Sequence, residues 1–134
     1  MVKTMIVVDA SAAVDWLLQT PAGHRIEDRL YAHHESLHSP HVLDLEVTQV
    51  LRRLTRQGII SGGRAESAVR DLVDLRIRRY PHFMFLSRIW EFRNNLSAYD
   101  AAYVVLAEEL KATLITRDGR LASALSNGAR VEVF

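Results

Sequence analysis

The sequence predicts a three-layer α/β/α domain, with helices on both faces of a central, mostly parallel sheet of four to five strands. Three observations carry this reading. Short β-branched runs close on carboxylates at Met5-Ile6-Val7-Val8-Asp9 and at Leu114-Ile115-Thr116-Arg117-Asp118. Segments with helical periodicity separate such runs, and strands alternating with helices imply a parallel sheet covered on both sides. Residues 98–110 are apolar on most faces, which predicts a deeply buried helix.

Taken in order, residues 5–9 have the length and residue types of a buried strand. Residues 10–18 read as a short helix stopped before Pro21, and residues 24–34 carry Ile26, Leu30 and Tyr31 at helical spacing. Leu37-His38-Ser39-Pro40 fits a brief strand. Residues 41–57 form a helix, with Leu43, Val47, Val50, Leu51 and Leu54 on one face and Gly58 as terminator. A further helix, residues 61–77, is built on Ala65, Ala68, Val69, Leu72 and Leu75. Residues 78–82 are ambiguous, a strand being one reading, and residues 83–93 form a short helix around Leu86, Ile89 and Trp90. After helix 98–110 come a strand at 112–116, a helix at 119–125, and a last strand at 131–134 beyond the turn residues Asn127-Gly128. No linker, repeat or low-complexity segment divides the 134 residues, so residues 1–134 are expected to form a single domain.

Composition bounds the function classes. With no cysteine, a disulfide frame and a thiolate zinc site are excluded. No apolar run reaches the ~18 residues of a membrane span, and Asp9 and Asp15 interrupt any signal-peptide-like stretch. A cytoplasmic enzyme or binding protein, with no membrane partner, is the expectation. The net charge of +1 announces no global field for nucleic acid. The cations are nevertheless 15 Arg against 2 Lys, and guanidinium forks suit phosphate. A biased genome composition gives the same ratio, so charge alone does not decide partners.

The acids are more informative. In a parallel α/β sheet, sites form beyond the carboxyl ends of the strands, where Asp9 and Asp118 fall. Taken singly, each acid has an ordinary reading. Asp9 and Asp118 are suitable helix N-caps, and Ser97-x-x-Asp100 matches a capping box. Glu46 lies mid-helix at the margin of the apolar stripe, where a salt bridge to Arg53 or Arg93 is its ordinary fate. Asp44 lies on the opposite margin, and the pattern leans toward Glu46 because its flanking neighbours are apolar. Gathered on one rim, Asp9, Glu46, Asp100 and Asp118 would repel one another and raise each other's pKa. A divalent cation resolves that conflict, and oxygen-only ligands favour Mg²⁺ or Mn²⁺. The implied chemistry is phosphodiester hydrolysis with a metal-activated water.

The six histidines, including His33-His34 and His38-x-x-His41, lack a third ligand at a suitable spacing. Trp16, Phe83, Phe85, Trp90 and Tyr103 occupy core-like helical positions, which favours packing over base stacking.

At these residues the chain resembles the PIN-domain ribonucleases, and most closely the VapC toxins of type II toxin–antitoxin pairs. The resemblance rests on Ile6-Val7-Val8-Asp9-Ala10-Ser11 and on Pro40 through the helix holding Glu46. It continues through Arg93 to Leu96-Ser97-Ala98-Tyr99-Asp100-Ala101-Ala102-Tyr103, Leu106-Ala107-Glu108 and Thr116-Arg117-Asp118-Gly119-Arg120-Leu121. It covers essentially the whole chain and implies a PIN-like fold. It also implies a metal-dependent endoribonuclease that cuts RNA and is held inactive by a cognate antitoxin. A homodimer follows from it too, as does contact with operator DNA through the antitoxin only.

The family's four acids fall on Asp9, Glu46, Asp100 and Asp118, and its hydroxyls on Ser11 and Thr116. Its asparagine falls on Asn95 or Asn94. On this reading Asp9 and Asp100 hold Mg²⁺ directly, while Asp118 and Glu46 complete the site directly or through water. Ser11 and Thr116 orient ligands or substrate. Arg93 is a candidate for phosphate contact and Arg117 a weaker one, since it can also point away. A phosphoacceptor domain would want paired acids near the first strand, and a haloacid-dehalogenase-type phosphatase would want Asp-x-Asp where Ser11 stands. The remaining alternative is a noncatalytic RNA- or protein-binding module on the same fold.

Overall fold

The computed structural model describes residues 4–125 and 129–134. Its centre is a five-stranded, fully parallel sheet in the order β3-β2-β1-β4-β5. The strands are β1 (Met5–Val8), β2 (Ser36–Pro40), β3 (Ile77–Tyr80), β4 (Thr113–Thr116) and β5 (Arg130–Val133). The helices are α1 (Ala10–Leu18), α2 (Pro21–Tyr31), α3 (Val42–Arg56), α4 (Gly62–Asp74), α5 (Leu86–Glu91) and α6 (Ala98–Leu110). Short 3-10 turns occupy Phe83–Phe85 and Gly119–Ser123. The chain builds outward from β1 through β2 to β3, then returns to the other side of β1 with β4. Strand order therefore reverses between β1 and β4, the place where an open parallel sheet leaves a crevice at its carboxyl edge.

The two strands bordering that crevice are buried because they are apolar on both faces. Ile6, Val7, Val8, Leu114 and Ile115 have no solvent exposure, as a central parallel strand requires. Val8 pairs with Ile115, and the Asp9 amide donates to the Ile115 carbonyl at 3.2 Å, so Asp9 sits where β1 stops. α6 lies against β1, β2 and β4, while α1 gathers α2, α3 and α4 around it. The apolarity of α6 on most faces is thereby accounted for: Ala101 through Ala107 are all buried. Among the described residues, no helix is long and apolar enough to cross a membrane.

Several boundaries differ from the sequence expectation, each for a local reason. α2 starts at Pro21 rather than at residue 24, because Pro suits the first helical position and the Thr20 hydroxyl accepts from the Gly23 amide at 3.0 Å. Gly23 permits α2 to close on α1: a Cβ there would lie 1.9 Å from the Asp15 carbonyl oxygen. α4 ends at Asp74 because Leu75 is extended, and Ile77 pairs with Leu37 as part of β3. Residues 83–93 split into a 3-10 turn and α5, and 119–123 coil as a 3-10 turn instead of a helix to 125. The turn residues Asn127-Gly128 lie outside the described residues. Of the aromatics expected in the core, Trp16 and Tyr103 are buried and Phe85 is half-buried, but Phe83 and Trp90 are 69 % and 66 % exposed. Ile89 and Phe92 supply the buried side of that segment instead.

Candidate active site

Asp9 ends β1 and caps α1 at once. Its Oδ1 accepts from the Ala12 amide at 2.9 Å and from Ser11 Oγ at 2.7 Å, and its Oδ2 accepts from Thr116 Oγ1. The capping role thus coexists with the position at the crevice. The residue is only 5 % exposed. Burial pushes its carboxyl above the usual carboxylate range and the Asp100 charge adds to this, against the pull of the Thr116, Ala12 and Ser11 hydrogen bonds. Thr116 and Ser11 tie the end of β4 to the start of α1: their hydroxyls lie 3.4 Å apart. Thr116 Oγ1 accepts from the Asp118 amide at 3.0 Å, and Ser11 Oγ accepts from the Arg117 amide at 2.9 Å.

Asp100 stands in the first turn of α6, where the Ser97 hydroxyl accepts from its amide at 3.1 Å. Asp100 lies close enough to both Asp9 and Glu46 for its charge to raise their carboxyls further, beyond the larger effect of burial. Glu46 forms no salt bridge with Arg53 or Arg93. Its Oε1 accepts instead from the Tyr103 hydroxyl at 2.7 Å. Burial raises the Glu46 carboxyl, and the charges of Asp100 and Asp9 raise it further. Asp44, on the opposite margin of α3, is held by Arg79 through contacts of 2.9–3.2 Å. Asp9, Glu46 and Asp100 are therefore brought into one electrostatic neighbourhood by β1, α3 and α6.

Asp118 is placed differently. Its Oδ1 accepts from the Arg120 amide at 3.0 Å, and the Arg120 guanidinium spans both carboxylate oxygens at 2.5–3.1 Å. Arg120 holds the Asp118 carboxyl below the usual range. The same guanidinium reaches Asp100 Oδ2 at 3.9 Å, so it bridges the two acids. Among the described residues, no three acidic or imidazole side chains are arranged to hold a metal ion in common.

Three other expected residues lie outside this group. Arg93 stacks on the Trp90 ring, 4.9 Å from its centroid, and donates to the Trp90 carbonyl at 3.2 Å. Asn95 is exposed in the turn before α6, its amide bonded to the Phe92 carbonyl at 2.8 Å. Arg117 points away, to Asp15 at 2.8 Å and the Phe134 carbonyl at 2.5 Å. Sequence reasoning missed Tyr103 and Arg120 as members of the site. Each had a signal: Tyr103 lies three residues after Asp100 and so shares its helix face, and Arg120 follows Asp118 by two in a turn.

The donor set suits a hard cation. Every candidate ligand is a carboxylate or hydroxyl oxygen, and a buried carboxylate raised by a like charge is stabilised by positive charge placed beside it. Arg120 already supplies such charge to two of the acids. Rotation of that exposed side chain, 79 % accessible, would open Asp118 and Asp100 to a competing cation.

Comparison with known proteins agrees with this architecture. The family profile described as "PIN domain" matches residues 6–124. Ribonuclease VapC12 of Mycobacterium tuberculosis is 40 % identical over 129 residues, covering 96 % of this chain and 98 % of that protein. VapC ribonuclease Mb0985 of Mycobacterium bovis is 43 % identical over 117 residues, 87 % of this chain and 88 % of its own length. Two solved structures share the fold. PAE2754 from Pyrobaculum aerophilum superposes with a TM-score of 0.70 at 24 % identity, covering 94 % of this chain and 83 % of its own. VapC20 of Mycobacterium tuberculosis, a sarcin–ricin loop cleaving toxin, gives 0.66 at 17 % identity, covering 91 % of this chain and 97 % of its own. The chain belongs to the PIN-domain family, among the VapC ribonucleases.

Proposed function

We propose that the protein is the toxin of a type II toxin–antitoxin pair, an endoribonuclease that hydrolyses RNA phosphodiester bonds with Mg²⁺, or Mn²⁺ in its place. One observation carries the reading: a buried carboxyl, Asp9, beside a second acid, Asp100, at the reversal of strand order between β1 and β4, raised chiefly by burial and further by the Asp100 charge. Capping α1 needs only one acceptor oxygen, from Oδ1 to the Ala12 amide, and an uncharged Asn or Ser supplies one; a buried charge beside Asp100 is costly without a cation.

Asp9 and Asp100 are the direct ligands in this proposal, and Glu46 and Asp118 complete the set once Arg120 releases Asp118. A bound cation would supply the charge that activates water and steadies the leaving oxygen. The protein's own contribution is positional. Thr116 and Ser11 fix the two oxygens of Asp9, and the Ala12 amide of α1 also donates to Oδ1. Arg120, freed from Asp118, is the cation nearest to an incoming phosphate, while exposed Arg93 and Asn95 meet RNA farther out. The relatives' names support RNA as substrate and a cognate antitoxin as partner. The homodimer, the cytoplasmic setting and operator contact through the antitoxin belong to the same proposal.

The test is cleavage of RNA by the purified protein in Mg²⁺, set against Asp9→Asn and Asp100→Asn. Cleavage by the wild type that disappears in both variants is expected. Equal cleavage by all three would remove the mechanism. RNA retained without being cut would favour a noncatalytic binding module.

A further inference from the structure

Tyr103 is the one polar side chain in the buried centre of α6 that faces the acids, and it is 1 % exposed. Neighbouring buried positions of the helix, Ala102, Val104, Val105 and Leu106, are apolar. A phenol in such a place needs a partner for its O–H. It finds Glu46 Oε1 at 2.7 Å, across the boundary between α6 and α3. The carboxylate faces the charges of Asp9 and Asp100, so electrostatic repulsion favours its swinging outward. The hydroxyl opposes that motion with a short hydrogen bond to a charged acceptor, the stronger kind. A phenol facing a carboxylate oxygen at this distance is the donor of the pair, since an ionised carboxylate can only accept.

We propose that Tyr103 is a positioning residue for the candidate metal centre: its hydroxyl occupies Glu46 Oε1 and thereby turns Oε2 toward the space shared with Asp9 and Asp100. The inference rests on the proposed metal-dependent reading. It adds a member outside the four acids and their neighbouring hydroxyls, and it assigns separate tasks to the two oxygens of Glu46. Tyr103 touches neither substrate nor cation; it acts through Glu46 alone. Asp100 and Tyr103 lie three residues apart on α6, so one rigid helix carries an acid and the group that aims a second acid.

Tyr103→Phe deletes the hydroxyl and retains the ring, which isolates the effect. Binding of Mn²⁺ alone is measured by titration calorimetry for the wild type, Tyr103→Phe, Glu46→Gln and the double variant, with RNA cleavage measured in parallel. Removing an outer partner of a metal ligand costs about 10–100-fold in affinity or activity. Tyr103→Phe is therefore expected to weaken Mn²⁺ by about 10-fold and to lower kcat while leaving KM for RNA unchanged. The double variant should bind no more weakly than Glu46→Gln, because two groups acting through one contact are not additive. Wild-type Mn²⁺ affinity in Tyr103→Phe would overturn the inference, as would losses that multiply in the double variant. A wild type that binds no Mn²⁺ and cuts no RNA would instead overturn the reading of the site, and this inference with it.

Discussion

Thr116 donates its hydroxyl proton to Asp9 Oδ2 across the boundary between β4 and β1, and Thr116 Oγ1 in turn accepts from the Asp118 amide at 3.0 Å. One fully buried hydroxyl thus links two strand ends and two acids that lie 107 and 2 residues away in sequence. Ser11 does the corresponding service for Asp9 Oδ1 and the Arg117 amide. These contacts make the carboxyl end of β1 a fixed point in a region otherwise made of loops and helix starts.

Thr116→Val keeps the volume of the side chain and removes both hydrogen bonds. A buried hydrogen bond to a charged group contributes about 1.5–3 kcal/mol, and the Asp118 amide loses its acceptor as well. The variant is expected to lose about 2–3 kcal/mol of stability at neutral pH, read as a lower urea midpoint with an unchanged m-value. With the hydrogen-bond pull removed, the Asp9 carboxyl should rise further, so the loss should be smaller at acid pH. A midpoint equal to that of the wild type would show that Thr116 does not support Asp9.

Asp9 also predicts an unusual pH dependence. Its folded-state pKa is raised above the unfolded value, chiefly by burial. Between those two values the folded state binds more protons than the unfolded state. The slope of unfolding free energy against pH is then negative for this group. Its contribution favours folding at acid pH, falls as pH climbs through the raised folded value, and is flat above it. Glu46 acts in the same direction. In a metal chelator, Asp9→Asn should therefore melt above the wild type at pH 7, and the difference should shrink toward pH 4. The comparison of the two melting profiles isolates Asp9 from the other titrating groups. A difference independent of pH would contradict the burial-driven shift.

Arg120 supplies a counter-charge that the protein carries itself. It spans both oxygens of Asp118 and lies 3.9 Å from Asp100 Oδ2. Exposed ion pairs are worth little, and their effect is screened by salt. Removing this one by Arg120→Ala should hardly move the melting temperature in chelator. It should tighten Mn²⁺ binding by up to about fivefold, the measure of a surface pair released from competition. The same variant should raise KM for RNA, because the cation nearest to the phosphate is gone. Weaker Mn²⁺ binding in Arg120→Ala would show that the guanidinium organises the acids instead of competing for them.

The layering was legible because it follows from periodicity. Strand β1, helix α3 and helix α6 are marked by patterns that only one kind of buried element satisfies, and Asp9, Glu46 and Asp100 follow from their ends and margins. What lay beyond pattern was set by tertiary contact. Ile77 continues the apolar spacing of α4, yet its pairing with Leu37 in β3 draws it out of the helix. Phe83 and Trp90 are as apolar as any core residue, but the break into a 3-10 turn leaves them on the outer side. In the sequence, charge points to the arginines as partners of Glu46. In the structure the partner is a neutral residue, Tyr103, 57 positions away on α6. Hydrogen-bond partners of that kind are fixed by the crossing of helices, which no local spacing reveals.

The last prediction joins stability to the proposed cation. If Asp9, Glu46 and Asp100 repel one another in its absence, a cation that binds only the folded state must stabilise it by mass action. At 100 times the dissociation constant this amounts to about 2.7 kcal/mol, several degrees in a domain of this size. Millimolar Mg²⁺ should accordingly raise the wild-type melting temperature, and Mn²⁺ should do so at lower concentration. Asp9→Asn and Asp100→Asn, having less repulsion to relieve and one ligand fewer, should start from higher melting temperatures in chelator and respond little to either ion. Matched ionic strength in NaCl serves as the control for nonspecific screening. A wild-type curve that shifts no more with Mg²⁺ than with NaCl would mean that the three acids share a neighbourhood without sharing a cation.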